Sequence, residues 1–128
     1  NLTLSNNEIS QRAAIAAFTP EATAELDVVR AGYADNRAYL LEHLPRLGFD
    51  DLFPVDGAFY AYASVARFSN DSLDFVKRML AEAGVAATPG PDFDTARGHG
   101  YVRFSFAGTR ADMEEAVARM GAWLPKLG

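Results

Sequence analysis

Arg103 is the side chain in this sequence whose setting most suggests recognition chemistry. It lies in Gly100-Tyr101-Val102-Arg103-Phe104-Ser105-Phe106-Ala107, a run of aromatic and β-branched residues that reads as a strand entered through a glycine-rich turn. Alternation puts Val102, Phe104 and Phe106 on one face and Tyr101, Arg103, Ser105 and Ala107 on the other. The first face needs a core. The second carries a guanidinium that stays charged and offers a planar fork suited to a carboxylate or a phosphate. Two readings of the strand alone stay open: Arg103 pairs with a surface acid at the sheet edge, or its fork receives a ligand.

The other reactive residue types lack partners at useful spacings. His43 has Glu42 beside it and His99 sits between two glycines, and neither has the spaced ligands a metal site requires. Asp92 and Asp94 follow Gly90 without the remaining oxygen donors of a calcium loop, and are expected to be turn-forming acids. No GxxxxGK or GxGxxG phosphate loop is present. No serine stands in a nucleophile motif with a base. Tyr60 and Tyr62 could line a pocket, although aromatic residues on a strand more often pack. Asn1-Leu2-Thr3 and Asn70-Asp71-Ser72 match glycosylation sequons, expected here to be chance matches.

These residues need elements to position them. Ser5-Asn6-Asn7-Glu8 has the form of a capping box ahead of a helix over Ile9–Phe18, with a small-residue face at Ala13, Ala16 and Ala17. Thr19-Pro20-Glu21 restarts a helix with an N-cap, a proline at the first position and an acid in the first turn. That second helix is expected from about Pro20 to Leu47, weakened at Gly32, loosened by Pro45 and stopped by Gly48. At 1.5 Å per residue it spans about 40 Å, more than a small core needs, as an interdomain helix would. Gly57–Val65 reads as a strand, with Phe59, Ala61, Ala63 and Val65 on one face and Ala58, Tyr60, Tyr62 and Ser64 on the other. Ser69–Ser72 caps a helix to Ala83 with Leu73, Phe75, Val76, Met79 and Leu80 as its buried stripe, and Gly84 ends it. Val85–Thr88 is a short strand, and a loop over Asp92–Gly100 leads into the Arg103 strand. Thr109 caps a last helix with Met113, Ala116, Val117, Met120, Trp123 and Leu124 on its apolar face. The order specifies an α/β (α+β) two-layer sandwich: a small, mostly three-stranded sheet packed on helices, with a long helix near the N-terminus.

Composition narrows the classes. The chain has 128 residues, 49% of them hydrophobic, and a net charge of −5, which specifies one domain over residues 1–128 with a real core. An acidic balance argues against nonspecific nucleic-acid or acidic-membrane binding. There is no transmembrane-length apolar run and no signal-peptide pattern. With zero cysteines, disulfides and Cys-based metal chemistry are excluded, and a cytoplasmic location is expected. The start at Asn1 in place of methionine suggests a piece of a longer protein.

Three segments carry a likeness to a known family. Pro54-Val55-Asp56-Gly57-Ala58-Phe59-Tyr60, Ala83-Gly84-Val85-Ala86-Ala87-Thr88-Pro89-Gly90 followed by Phe93, and Gly100–Ala107 closely resemble the C-terminal small domain of class I/II aminotransferases, pyridoxal-phosphate enzymes of fold type I. Ser10–Ala17 resembles the family's segment after its large domain, Tyr33–Arg37 with Leu44 and Gly48 its long interdomain helix, and Glu115–Met120 its last helix. The resemblance covers essentially the whole chain in the family's order. Pro91-Asp92 departs from it, since many members carry a serine there.

The resemblance implies that Arg103 binds the substrate's α-carboxylate by a bidentate pair, with Phe59 and Tyr60 as weaker candidates for lining the cleft. It implies pyridoxal 5'-phosphate as cofactor, an amino acid and a 2-oxo acid as substrates, and a homodimeric parent. The family's catalytic lysine, the aspartate facing the cofactor's pyridine nitrogen and the phosphate-binding residues would lie upstream, in a large domain. The only lysines here, Lys77 and Lys126, do not stand where the family's motif places its own. The expected chain therefore supplies no catalytic residue, no cofactor-binding residue and no metal ligand, and is inactive alone. Alternatives are an aminotransferase-like effector domain of a transcription regulator, another fold type I enzyme such as a carbon–sulfur lyase, or a stand-alone binding module.

Overall fold

The computed structural model describes residues 5–127; the Asn1-Leu2-Thr3 sequon lies outside them. Packing divides the chain into two units, Asn1–Gly32 and Tyr33–Gly128.

In the first unit, helix α1 spans Glu8–Ala16. Its N-cap is Asn7, whose side chain accepts from the Ser10 amide at 2.9 Å, so the cap falls two residues later than the Ser5 box predicts. Glu8 instead pairs with Arg12 at 2.7 Å, one turn on. No residue of α1 is buried; Ile9, Ile15 and Phe18 are all exposed. Thr19 then accepts from the Ala22 amide at 3.3 Å, and Pro20 opens helix α2, Pro20–Leu47, with the bounds the sequence predicts. Leu26, Val28 and Val29 on its first half are exposed.

The second unit holds the core, whose buried apolar residues all lie from Leu40 onward. Along α2, Asn36, Leu40 and Leu44 are buried. Asn36 donates to the carbonyls of Phe106 at 3.1 Å and Gly108 at 2.8 Å, tying the helix to the chain that leaves the Arg103 strand. The last turn survives Pro45, and Gly48, with φ +102°, turns the backbone out of the helix.

Three strands follow: β1 (Tyr60–Ser64), β2 (Thr88–Pro89) and β3 (Tyr101–Ser105). They form an antiparallel sheet in the order β1-β3-β2. The register pairs Tyr62 and Thr88 with Arg103 from either side. All three strands are shorter than the sequence suggests, β3 occupying Tyr101–Ser105 of the run Gly100–Ala107. β1 begins at Tyr60 because Ala58 sits at φ +57°, a turn conformation that a strand cannot contain. Of Val85–Thr88 only Thr88 enters the sheet, while Val85 is buried in the core.

Helix α3, Ser72–Arg78, is capped by Asp71 and runs on as a π-helical turn over Met79–Ala83. Its buried stripe is Ser72, Phe75, Val76 and Met79, a clean i, i+3, i+4, i+7 set. Leu73 and Leu80 fall one residue off it and are exposed, contrary to the stripe drawn from sequence. Gly84 ends the turn in the left-handed region. Helix α4, Arg110–Trp123, starts from a capping box between Thr109 and Asp112. Ala61, Ala63, Val102 and Phe104 of the sheet join Phe75, Met79, Met120 and Trp123 of the helices in one cluster around Phe49. The result is the two-layer sandwich expected. Among the described residues no helix is long and apolar enough to cross a membrane.

Candidate functional site

The face of the sheet turned away from that core carries Tyr60, Tyr62 and Ser64 from β1, and Tyr101, Arg103 and Ser105 from β3. Arg103 is on the central strand, where hydrogen bonding on both edges fixes the backbone that holds it. Its side chain is flanked by two aromatic rings. The guanidinium carbon lies 3.9 Å from the Tyr60 ring centroid and 3.7 Å from that of Phe93. Both distances are well inside the reach of a cation–π contact.

Its hydrogen-bonding groups are treated differently from those of every other arginine. Arg12, Arg30, Arg46, Arg67, Arg78, Arg97, Arg110 and Arg119 each pair with a carboxylate, and Arg37 donates to the Val55 carbonyl. Among the described residues, Arg103 alone has no acceptor. Stacking satisfies the faces of the plane and leaves the N–H edge available to an anion. Among the described residues, the surface ion pair that the strand alone allowed is not formed.

Phe93 reaches this position from the loop after β2. A 3-10 turn over Gly90–Asp92 follows Pro89, and the amides of Phe93 and Asp94 both donate to the Gly90 carbonyl at 2.9 Å. The Asp94 carboxylate accepts from the amides of Ala96 and Arg97 at 3.0 Å. Those two amides and the Arg97 side chain hold its carboxyl below the usual range, the Arg97 amide first. Asp94 is thus the turn-former its sequence setting suggests. The loop closes where Gly90 and Gly98 cross: a Cβ on Gly90 would stand 2.6 Å from the Tyr62 hydroxyl and 2.7 Å from the Gly98 Cα. Such contacts leave room for glycine only. Ser72, fully buried, donates to the Gly98 carbonyl at 2.9 Å and anchors the crossing to α3.

An aromatic cluster continues the face beyond Arg103. Tyr62 and Tyr101 stack at 5.1 Å with 17° between planes, and Phe53 lies 5.5 Å and 5.4 Å from them. The Tyr101 hydroxyl donates to Asp51 at 2.7 Å, which pushes its own pKa up. Burial pushes up that of Tyr62, whose hydroxyl has no partner among the described residues.

Of the three residues singled out by sequence, the structure brings Tyr60 onto Arg103. Phe59, in the turn before β1, lies against Tyr60 at 4.2 Å and Tyr33 at 6.2 Å and is 37% exposed. Phe93 is a contact that strand periodicity does not announce; its signals in the sequence are its place after Pro89-Gly90 in the family likeness and its aromatic ring inside an otherwise polar, glycine-flanked loop. His43 stacks on Tyr39 at 3.9 Å, with Nδ1 2.9 Å from the Tyr39 carbonyl, and His99 is exposed in a single 3-10 turn. No cluster of three His, Cys, Asp or Glu residues that could hold a metal occurs among the described residues.

This fold has counterparts in known proteins. The sequence pattern of the family Aminotransferase class I and II matches residues 2–120, and the chain belongs to that family. It is 57% identical over 125 residues to a valine–pyruvate aminotransferase of Mycobacterium tuberculosis, covering 98% of this chain and 32% of the relative. A probable N-acetyl-LL-diaminopimelate aminotransferase of Bacillus subtilis is 37% identical over 120 residues, covering 94% of this chain and 30% of its own length. Among solved structures, an aminotransferase from Mycobacterium tuberculosis superposes with a TM-score of 0.93 at 56% identity, covering 98% of this chain and 33% of that one. The chain thus spans about a third of the length of the relatives it matches.

Proposed function

We propose that this chain is the C-terminal part of a pyridoxal-phosphate-dependent aminotransferase, and that Arg103 is its clamp for the substrate's α-carboxylate. The observation that carries the reading is the state of Arg103: a charged, half-buried fork, flanked by Tyr60 and Phe93, with no protein acceptor among the described residues. A bidentate, charge-assisted pair shielded from water contributes about 1.5–3 kcal/mol. Tyr60 forms one wall of the slot, and Phe59 extends that wall away from Arg103. The valine–pyruvate relative points to an amino acid with a small apolar side chain as nitrogen donor and pyruvate as acceptor.

The residues present do not fit the cofactor's attachment. The face around Arg103 carries tyrosines, serines and a threonine but no lysine, while Lys77 and Lys126 are exposed on α3 and in the last turn. The cofactor, the lysine that bonds it and the groups that hold its phosphate belong to the rest of the parent, which we expect to work as a dimer. What this chain does toward catalysis is to grip and orient the acid end of the substrate.

In the full-length protein, Arg103→Ala should raise KM for the amino acid about tenfold to a hundredfold, the size of the lost pair. Steady-state kinetics with varied amino acid measures it. An unchanged KM would remove Arg103 from the site.

A further inference from the structure

A guanidinium on a long side chain has to be immobilised before it can meet a carboxylate at low cost, since ordering it on binding would consume part of the interaction. In this molecule the immobilising contacts come from two directions. Tyr60 is on β1, adjacent to the strand that carries Arg103. Phe93 belongs to a loop whose internal amides bond to Gly90 and Asp94 and whose ends are locked at the Gly90–Gly98 crossing. Phe93 buries little of itself: it is 54% exposed, it is not in the core cluster, and among the described residues its aromatic or cation–π contact is with Arg103 at 3.7 Å. A phenylalanine held in place by a rigid loop, half in solvent and laid against one cation, acts on that cation.

We propose that Phe93 is a positioning residue for carboxylate binding: it holds the Arg103 guanidinium against Tyr60 with the N–H edge outward and keeps it from swinging to a nearby acid. The proposal rests on the reading of Arg103 as a carboxylate clamp and adds a requirement to it. Of the two aspartates on the same loop, Asp94 is committed to Arg97 and the Ala96 and Arg97 amides, and Asp92 is exposed. Removing the ring frees Arg103 to sample an exposed acid such as Asp92, so that an incoming carboxylate must displace it. The aromatic face is the essential property, and tyrosine retains it.

The test uses the full-length protein with its cofactor and measures dissociation constants of two unreactive probes by calorimetry. Isovalerate carries valine's carbon skeleton with a carboxylate but no amine, and isovaleramide replaces the carboxylate with a neutral amide. Phe93→Leu should weaken isovalerate about threefold to tenfold, between the values of an exposed and a desolvated cation–π contact. Phe93→Tyr should bind within twofold of the parent, and isovaleramide should be unaffected by either substitution. In turnover, Phe93→Leu should raise KM for the amino acid and leave kcat nearly unchanged. Phe93→Met, measured in parallel, covers the case in which leucine disturbs the loop.

The outcomes separate the two claims. Leucine and methionine variants that bind isovalerate as the parent does, while Arg103→Ala does not, overturn the role of Phe93 and leave the clamp intact. Equal losses for isovalerate and isovaleramide make Phe93 an apolar wall and overturn positioning. A parent that does not prefer isovalerate to isovaleramide overturns the clamp itself.

Discussion

Arg103 shows what one side chain reveals before and after its neighbours are known. Strand alternation places it on the face opposite Val102, Phe104 and Phe106, and the sheet register confirms that. Tyr60 was within reach of the same reasoning, because residues on the matching face of an adjacent strand are neighbours. Phe93 was not, since a loop's path depends on hydrogen bonds and steric exclusions that leave no periodic trace. One of those bonds can be titrated. Asp94 has a folded pKa below its ordinary value, and so does Asp112, held down by the Thr109 side chain and amide. A carboxylate whose pKa falls on folding contributes stability above its unfolded pKa of roughly 4, and that contribution disappears as pH drops through the folded value. Carboxyl-carbon NMR titration should therefore give both midpoints below those of the corresponding peptides, with the amides of Ala96 and Arg97 shifting in step with Asp94. An Asp94 midpoint at or above the peptide's would separate this carboxylate from loop closure.

At the scale of elements, the places where sequence reasoning succeeded are those governed by a local rule. Thr19-Pro20 starts α2, Gly48 and Gly84 end helices, and Thr109 caps α4, each from backbone chemistry within one turn. The N-cap of α1 moved from Ser5 to Asn7 within a single turn, while the misses at α3 and β1 depend on context beyond it. Leu73 and Leu80 have the right residue type, yet the helix buries Ser72 in preference because that hydroxyl is needed at the Gly98 carbonyl. Gly57-Ala58-Phe59 has strand-like composition, yet Ala58 adopts a left-handed turn. Ser72 links α3 to the loop that carries Phe93. Ser72→Ala should leave the Gly98 carbonyl without this donor and lower stability by about 1–3 kcal/mol, read as a shift of the denaturant midpoint at constant slope. Isovalerate binding should weaken in the same variant. Unchanged stability would show that the loop holds itself.

For the whole molecule, the informative contrast is between the two units. The buried apolar side chains begin at Leu40, whereas α1 buries none, and Ile9, Ile15, Phe18, Leu26, Val28 and Val29 are exposed. Helices that bury nothing derive little stability from packing and fray readily. In the isolated chain, hydrogen exchange should be fast across α1 and the start of α2 and slow across β3 and α4. Equal protection across both would contradict the division at Gly32. The resemblance to the C-terminal part of an aminotransferase was legible end to end because its segments lie in helices and a strand as well as in the turns at Gly57, Gly84 and Gly90, in one fixed order. In the full-length parent, those exposed apolar side chains are expected to be covered by the remainder of the protein.

The crossing of Gly90 and Gly98 has a consequence for heredity. Every amino acid that a mutation can put in place of glycine carries a Cβ, and at either position that atom falls on the backbone of the other, within 2.7 Å at Gly90 and 2.5 Å at Gly98. No first mutational step at one site is made harmless by a second step at the other, because both sites want the same absent atom. The paired codons are therefore closed to gradual drift, and the loop that presents Phe93 can vary in length and charge between them while its base stays fixed. Lineages that diverge in what they bind are expected to differ within 91–97 before they differ at its two ends.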